Sequence, residues 1–257
     1  MSDGYNLFYD VVGHGSSIVF IHDGLLPSSV WDEQVAAFAT THRVVRYDRR
    51  GYGGSVLPDQ PYSNIADLQQ LMDRLSIDDA ILVGASGGGG LALDFTLAYP
   101  TRVQRLVLVG STLTGLSFSE QFHRRMQELF RPLVEARDMA ATIERWASDP
   151  YLVAGDKPQA RDRIRALLQA NPNALINPQH FIQPPPSPTA ADLARLNHPT
   201  LIIIGEADIG DVHAHAGAIE FGLRRAQRIV VSSAGHLVYL EYPAKFNQLV
   251  HAFIHAD

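Results

Sequence analysis

Cysteine is absent from the 257 residues. Disulfides, thiolate metal sites and a cysteine nucleophile are therefore excluded. Lysine is nearly missing too, present only as Lys157 and Lys245, so almost every basic side chain is an arginine. No basic block stands out and the net charge is −6, which argues against nucleic acid as a partner. No apolar run approaches the roughly 18 residues a membrane helix needs, so no membrane partner is expected. The start, Met1-Ser2-Asp3-Gly4-Tyr5-Asn6, lacks the basic start and apolar core of a secretory leader. The expectation is a soluble, cytoplasmic protein. With 46% hydrophobic residues, the chain is long enough to bury one large core.

Strand-like and helix-like runs alternate, the signature of a mainly parallel sheet covered on both faces. Tyr5–Val12 reads as an edge strand, Ser17–Ile21 as a short buried strand and Val30–Ala39 as an amphipathic helix. Arg43–Tyr47 is a strand and Ile65–Leu75 a helix, followed by the strands Ala80–Val83 and Leu106–Val109. Leu201–Ile204 and Ile229–Val231 are two later strands, and Pro243–Ile254 is a closing helix. The alternation breaks between Ser111 and His198. There, apolar residues recur at helical spacing: Phe122, Met126, Leu129, Phe130 and Leu133, then Met139, Ile143 and Trp146, then Ile164, Leu167 and Leu168. Asp138 fits the cap of the second helix and Pro158 the start of the third. This part ends in the stiff connector Gln183-Pro184-Pro185-Pro186-Ser187-Pro188. The expected organisation is one α/β core made of residues 1–110 and 199–257, with a helical cap at 111–198 inserted into it.

Between the Ala80–Val83 strand and a helical run from Leu91 to Tyr99 lies Gly84-Ala85-Ser86-Gly87-Gly88. A G-x-S-x-G pattern in strand–turn–helix context holds a serine on a sharp, strained turn in front of a sheet. Strand and helix pass so closely there that Gly84 and Gly88 leave no room for a side chain. Ser86 is thus a candidate nucleophile, provided a base, an acid and an oxyanion site exist elsewhere.

His236 is the candidate base. It stands in Ser233-Ala234-Gly235-His236-Leu237, after the last strand and before the last helix. Asp208, in Gly205-Glu206-Ala207-Asp208 after the Leu201–Ile204 strand, is the candidate acid, in the chain order Ser…Asp…His. Asp211 is the rival, though it reads better as a helix N-cap, and Glu206 sits closer to the strand end. Oxyanion donors are expected from the N–H of Gly87 and from the loop His22-Asp23-Gly24-Leu25, with Gly24 preferred and Leu25 the alternative. His22 reads as a structural loop residue. A substrate pocket is expected to involve Leu25, Phe122, Trp146 and Leu237.

Five motifs carry a resemblance to a known family. They are His22-Asp23-Gly24 with Trp31, Tyr47-Asp48-Arg49-Arg50-Gly51-Tyr52-Gly53-Gly54-Ser55, the serine turn, Gly205-x-x-Asp208 and Gly235-His236. In this order the chain resembles the α/β-hydrolase superfamily, in its capped serine esterase and lactonase branch. The resemblance implies an α/β-hydrolase fold, a mostly parallel eight-stranded sheet with helices on both faces and an inserted helical cap. It also implies hydrolysis of a small-molecule ester or lactone by a Ser-His-Asp triad without a cofactor. Two positions depart from the pattern. Asp23 stands where the family usually has glycine, and Gly87 where it often has Met or Gln.

Other signals are weaker. Asp208, Asp211, His213 and His215 are close in sequence, but i,i+2 histidines point apart on a helix, so no metal is expected. His251 and His255 mark a surface face. The glycine run 87–90 lacks the Lys and Ser/Thr of a phosphate loop. Asp48 and Arg49 fix the loop after their strand. Two alternatives stay open: carbon–carbon bond hydrolysis of a dienoic ketone by the same triad, and a slow-turnover small-molecule receptor of the same fold.

Overall fold

The computed structural model describes residues 7–187 and 189–256. Its strands in chain order are β1 (Tyr9–Val12), β2 (Ser17–Ile21), β3 (Arg43–Tyr47), β4 (Ala80–Ala85), β5 (Val103–Val109), β6 (Thr200–Gly205) and β7 (Ala226–Val231). They form one seven-stranded sheet ordered β1-β3-β2-β4-β5-β6-β7. Only β1 is antiparallel, pairing Tyr9 with Tyr47 and Val12 with Val44; every other pairing is parallel. The resemblance implies eight strands; the described residues supply seven. The expected first strand is also shorter, and its Tyr5 and Asn6 lie outside the described residues.

The inner strands are apolar at every position because both faces are covered. Side chains alternate between the two faces. Ile18, Phe20, Ile81, Val83, Val107, Val109, Leu201 and Ile203 enter one apolar layer. Their neighbours Val19, Ile21, Leu82, Leu106, Leu108, Ile202 and Ile204 enter the other. On the first face lie α1 (Asp32–Phe38) and the last helix, which provide Val35, Phe38, Phe246 and Val250. On the second lie α2 (Asn64–Arg74) and α3 (Gly87–Ala98), which provide Leu68, Leu71, Leu93 and Phe95.

Between β5 and β6 run α4 (Glu120–Ala136), α5 (Met139–Ala147), α6 (Pro158–Ala170) and the short α7 (Thr189–Asp192). Ser119 caps α4 and Asp138 caps α5, the latter accepting from the Ala141 N–H at 2.9 Å. Leu129, Ile143, Trp146 and Ile164 from these helices join the same apolar layer as Trp31 and Phe246. The two ends of the segment meet on α3. Asp94 accepts hydrogen bonds from the hydroxyls of Thr114 and Thr189, and the Ala190 N–H donates to the Thr114 carbonyl at 2.9 Å. Burial raises the Asp94 pKa, and the two hydroxyl donors work against that shift.

The chain closes with α8 (Gly210–Gly222), α9 (Val238–Glu241) and α10 (Pro243–Ile254). Asp211 does not cap α8, contrary to the sequence expectation. Its carboxylate is turned away to Ser119, taking the backbone N–H at 2.5 Å and the hydroxyl at 2.9 Å. Among the described residues no helix is long and apolar enough to cross a membrane.

Trp31 is fully buried where the sheet, α9 and α10 meet. Its ring stacks on Tyr239 with centroids 4.1 Å apart and leans on Phe20 at 5.1 Å. Trp31→Ala is expected to cost about 3–5 kcal/mol of unfolding free energy, measured by urea denaturation.

Candidate active site

Four strand ends converge on one place. Gly24 follows β2, Ser86 follows β4, Asp208 follows β6 and His236 follows β7. In an open α/β sheet the carboxyl ends of the strands form the natural ligand crevice. A cavity of about 190 Å³ lies there, walled by Asp23, Gly24, Leu25, Ser86, Asp208 and His236 on the sheet side. Phe118, Phe122, Arg125, Met126, Trp146 and Leu152 wall it from the helical segment.

Ser86 has φ 50° and ψ −120°, a conformation that costs an L-residue energy and persists only where its surroundings enforce it. The enforcement is steric. A Cβ on Gly84 would sit 2.4 Å from the Gly88 carbonyl oxygen, and one on Gly88 2.4 Å from that of His22. The turn is also tied to β5, since the Ser86 N–H donates to the Val109 carbonyl at 2.8 Å.

His236 and Asp208 are in direct contact, Nδ1 to Oδ2 at 2.8 Å. A carboxylate accepts there, so Nδ1 carries the proton and Nε2 is left with a lone pair. Burial alone lowers the His236 pKa. The charge and hydrogen bond of Asp208, joined by the charge of Asp23, outweigh burial and an opposing push from Arg125, so the net shift is upward from 6.5. The remaining oxygen of Asp208 accepts from the Ile209 N–H at 2.7 Å. Of the two rivals, Asp211 is occupied by Ser119 and Glu206 holds the Ser233 N–H at 3.0 Å.

The histidine loop is held from two sides. The His236 N–H donates to the Tyr151 carbonyl at 2.7 Å and the Leu237 N–H to that of Leu152 at 3.1 Å. Glu241, its side chain fully buried, accepts from the N–H groups of Gly235 at 2.7 Å and Ala154 at 3.0 Å, and pairs with Lys157. Gly110, at φ 51°, closes the space beneath the ring: a Cβ there would meet His236 Nδ1 at 2.9 Å.

The first loop has one peptide unit with a fixed direction. The Asp23 carbonyl accepts from His22 Nδ1 at 2.7 Å and from the Arg49 guanidinium at 2.5 Å. A trans peptide points its N–H opposite to its carbonyl, so clamping the Asp23 carbonyl aims the Gly24 N–H. Among the described residues neither that N–H nor the Gly87 N–H, at the start of α3, meets a protein acceptor. Leu25, the alternative donor, is taken, since its N–H donates to Asp23 Oδ1 at 2.6 Å. His22 is a neutral structural residue: burial and the nearby Arg49 hold its pKa well below 6.5, and its Nε2 accepts from the Arg49 N–H. Asp48 fixes its loop through the N–H groups of Ser28 at 2.7 Å and Gly54 at 2.9 Å.

Of the residues expected around a substrate, Leu25, Phe122 and Trp146 line the cavity. Leu237 does not. Its side chain is buried in the core with Val238 and Tyr239, and its N–H donates to the Leu152 carbonyl. The sequence reading also missed Arg125, the wall's arginine, which pairs with buried Asp149 and lies 5.0 Å over the Tyr151 ring. Its signal was the i, i+3, i+4 stripe Phe122, Arg125, Met126, which puts all three on one helix face. His215, set aside as a ligand, is buried and accepts from the Leu113 N–H at 2.9 Å. Among the described residues no group of three or more His, Asp or Glu is arranged to hold a metal.

The sequence profile of the Alpha/beta hydrolase family matches residues 18–249, and the chain belongs to that family. It is similar to the 2-hydroxymuconate semialdehyde hydrolase of Pseudomonas sp. strain CF600, at 29% identity over 94% of this chain and 88% of that protein. It is similar also to the pimeloyl-[acyl-carrier protein] methyl ester esterase of Nitrosomonas europaea, at 28% identity over 94% of this chain and 96% of that one. Among solved structures it resembles Est816, described as an N-acyl homoserine lactone degrading enzyme, with TM-score 0.80 and 26% identity over 98% of both chains.

Two substitutions separate the glycines of the serine turn. Gly84→Ala is expected to lose about 3 kcal/mol or more of stability, because its Cβ meets backbone. Gly87→Ala, whose Cβ would meet nothing within 4 Å, should keep the wild-type thermal midpoint within a few degrees. Thermal melts of both variants check this.

Proposed function

We propose that this chain hydrolyses small to medium carboxylic esters or lactones through an acyl-enzyme on Ser86. The observation that carries the reading is the 2.8 Å contact between His236 and Asp208 on the wall of the cavity that also contains Ser86. A general base needs an oriented, neutral imidazole, and the buried carboxylate supplies both tautomer and orientation.

In this reading His236 Nε2 takes the Ser86 hydroxyl proton as Oγ attacks the carbonyl carbon. The resulting oxyanion is met by the N–H groups of Gly24 and Gly87, each worth on the order of 3 kcal/mol when preorganised. The imidazolium, stabilised by Asp208, gives its proton to the leaving alkoxide, and the alcohol departs. Water then attacks the acyl-enzyme, gives its proton to His236 and releases the acid, and the proton returns to Ser86. Ester and water become acid and alcohol, and no cofactor enters the balance.

The helical segment 111–198 is read as a cap over a core formed by residues 1–110 and 199–257. Its Phe122, Met126 and Trp146 give the cavity an apolar wall. At about 190 Å³ the cavity is smaller than the ~300–1,000 Å³ of sites for drug-sized ligands, which favours a compact acyl or alcohol group. Similarity to an esterase and to a lactone-degrading enzyme supports ester chemistry. A second reading, carbon–carbon bond hydrolysis of a dienoic ketone, is favoured by similarity to the semialdehyde hydrolase.

Two measurements test the proposal. Turnover of p-nitrophenyl acetate is expected to vanish in Ser86→Ala. The wild-type kcat/KM should fall with acid, because protonated His236 cannot act as base. Its midpoint should lie above 6.5, in keeping with the upward shift. A profile flat between about pH 5 and 8 contradicts His236 as the base. A panel of esters, lactones and vinylogous diketones separates the two readings.

A further inference from the structure

Asp23 is nearly fully buried at the tip of β2. Burying a carboxylate is costly unless hydrogen bonds satisfy it, so its partners say what it is for. Oδ1 accepts from the N–H groups of Leu25 at 2.6 Å and Leu26 at 2.8 Å, which curls the loop immediately after Gly24. Oδ2 accepts from the Tyr239 hydroxyl at 2.6 Å. Burial and the adjacent Asp23 push the Tyr239 pKa well above its ordinary value, so the hydroxyl keeps its proton and donates. Tyr239 lies on α9, three residues after His236, and its ring is anchored by the stack on Trp31.

We propose that Asp23 and Tyr239 form a positioning pair that fixes the Gly24 N–H and ties the oxyanion loop to the loop carrying His236. The proposal rests on the reading of Ser86 as nucleophile and Gly24 as oxyanion donor. The Gly24 N–H is clamped from behind by His22 and Arg49 through the Asp23 carbonyl, and the next peptide is held by Tyr52, whose hydroxyl donates to the Gly24 carbonyl at 2.9 Å. The bonds from His22 and Arg49 set the direction of the peptide that carries the Gly24 N–H. The Asp23 side chain adds what they lack, a link through Tyr239 to α9, the element that directly follows the His236 loop. It also occupies the Leu25 N–H, so the loop offers the substrate Gly24 in preference to its neighbour.

The same carboxylate is a charge near the base. The charged groups that act on His236 are Asp208 after β6, Asp23 after β2 and Arg125 on α4. Around Asp23 stand Tyr239 from α9, Arg49 from the loop after β3 and its neighbour His22. A role in positioning therefore has a readout that mere structural support lacks. Removing the charge should ease deprotonation of His236 and move the acid limb of the rate profile down in pH.

The test compares Asp23→Ala, Asp23→Asn and Tyr239→Phe with wild type on p-nitrophenyl acetate. Rates are expressed per active site titrated with a serine-directed phosphonate, which removes any loss from misfolding. Asp23→Ala is expected to lower kcat about tenfold or more with KM changed less than about threefold, as misplacement of a reacting group does. Asp23→Asn, which can still accept from Leu25 and Leu26, should recover most of kcat and shift the acid limb to lower pH. Tyr239→Phe should lower kcat without that downward shift, because the Asp23 charge remains. If kcat per titrated site is unchanged in Asp23→Ala and the acid limb is unmoved in Asp23→Asn, the pair has no positioning role and the proposal falls. Ser86→Ala run alongside distinguishes the other failure: if it still turns over, the serine reading is wrong and the pair's role with it.

Discussion

The site depends on one close approach, that of β4 to the start of α3. No side chain fits at Gly84 or Gly88, because the backbone oxygens of Gly88 and His22 already fill the space a Cβ would need. This closeness, with the hydrogen bond from the Ser86 N–H to the Val109 carbonyl, sustains Ser86 at φ 50°. It also brings the end of β2 against the serine turn, so the loop carrying Gly24 and the proposed nucleophile are neighbours by packing. A strained residue on a rigid elbow is stable here because the parallel strands beneath it are covered on both faces.

Around that elbow the other groups are held by backbone hydrogen bonds together with buried side chains. The His236 loop donates its N–H groups to the Tyr151 and Leu152 carbonyls and to buried Glu241. The segment that walls the cavity thus also supports the His236 loop. Its two ends are fastened to α3 through Asp94, eight positions after the serine. The cavity wall, the His236 loop and the turn carrying Ser86 thus share one framework.

Much of this was legible in the sequence, for reasons that can be named. The parallel strands announced themselves because burial on both faces makes them continuously apolar, as in Ile81-Leu82-Val83. Their ends did not: β5 starts at Val103, and its polar Gln104 and Arg105 hide the ladder that pairs Arg105 with Ile81. Ser86, Asp208 and His236 were legible because glycine-marked turns at strand ends carry them. Tyr239, Glu241 and Gly110 were not, because their value lies in what they touch across the fold. Leu237 was misjudged for the same reason, since adjacency to His236 in sequence says nothing of which way a side chain turns. The oddity of Asp23 was visible, but only its bonds to Leu25, Leu26 and Tyr239 say that it faces into the framework as well as the cavity.

Reaction with a serine-directed phosphonate, followed by mass spectrometry of the digested protein, tests the central claim most directly. One phosphonyl group on the peptide that contains Ser86, and none on Ser86→Ala, is the predicted result. A label on another residue of the folded protein, or equal labelling of Ser86→Ala, would contradict it.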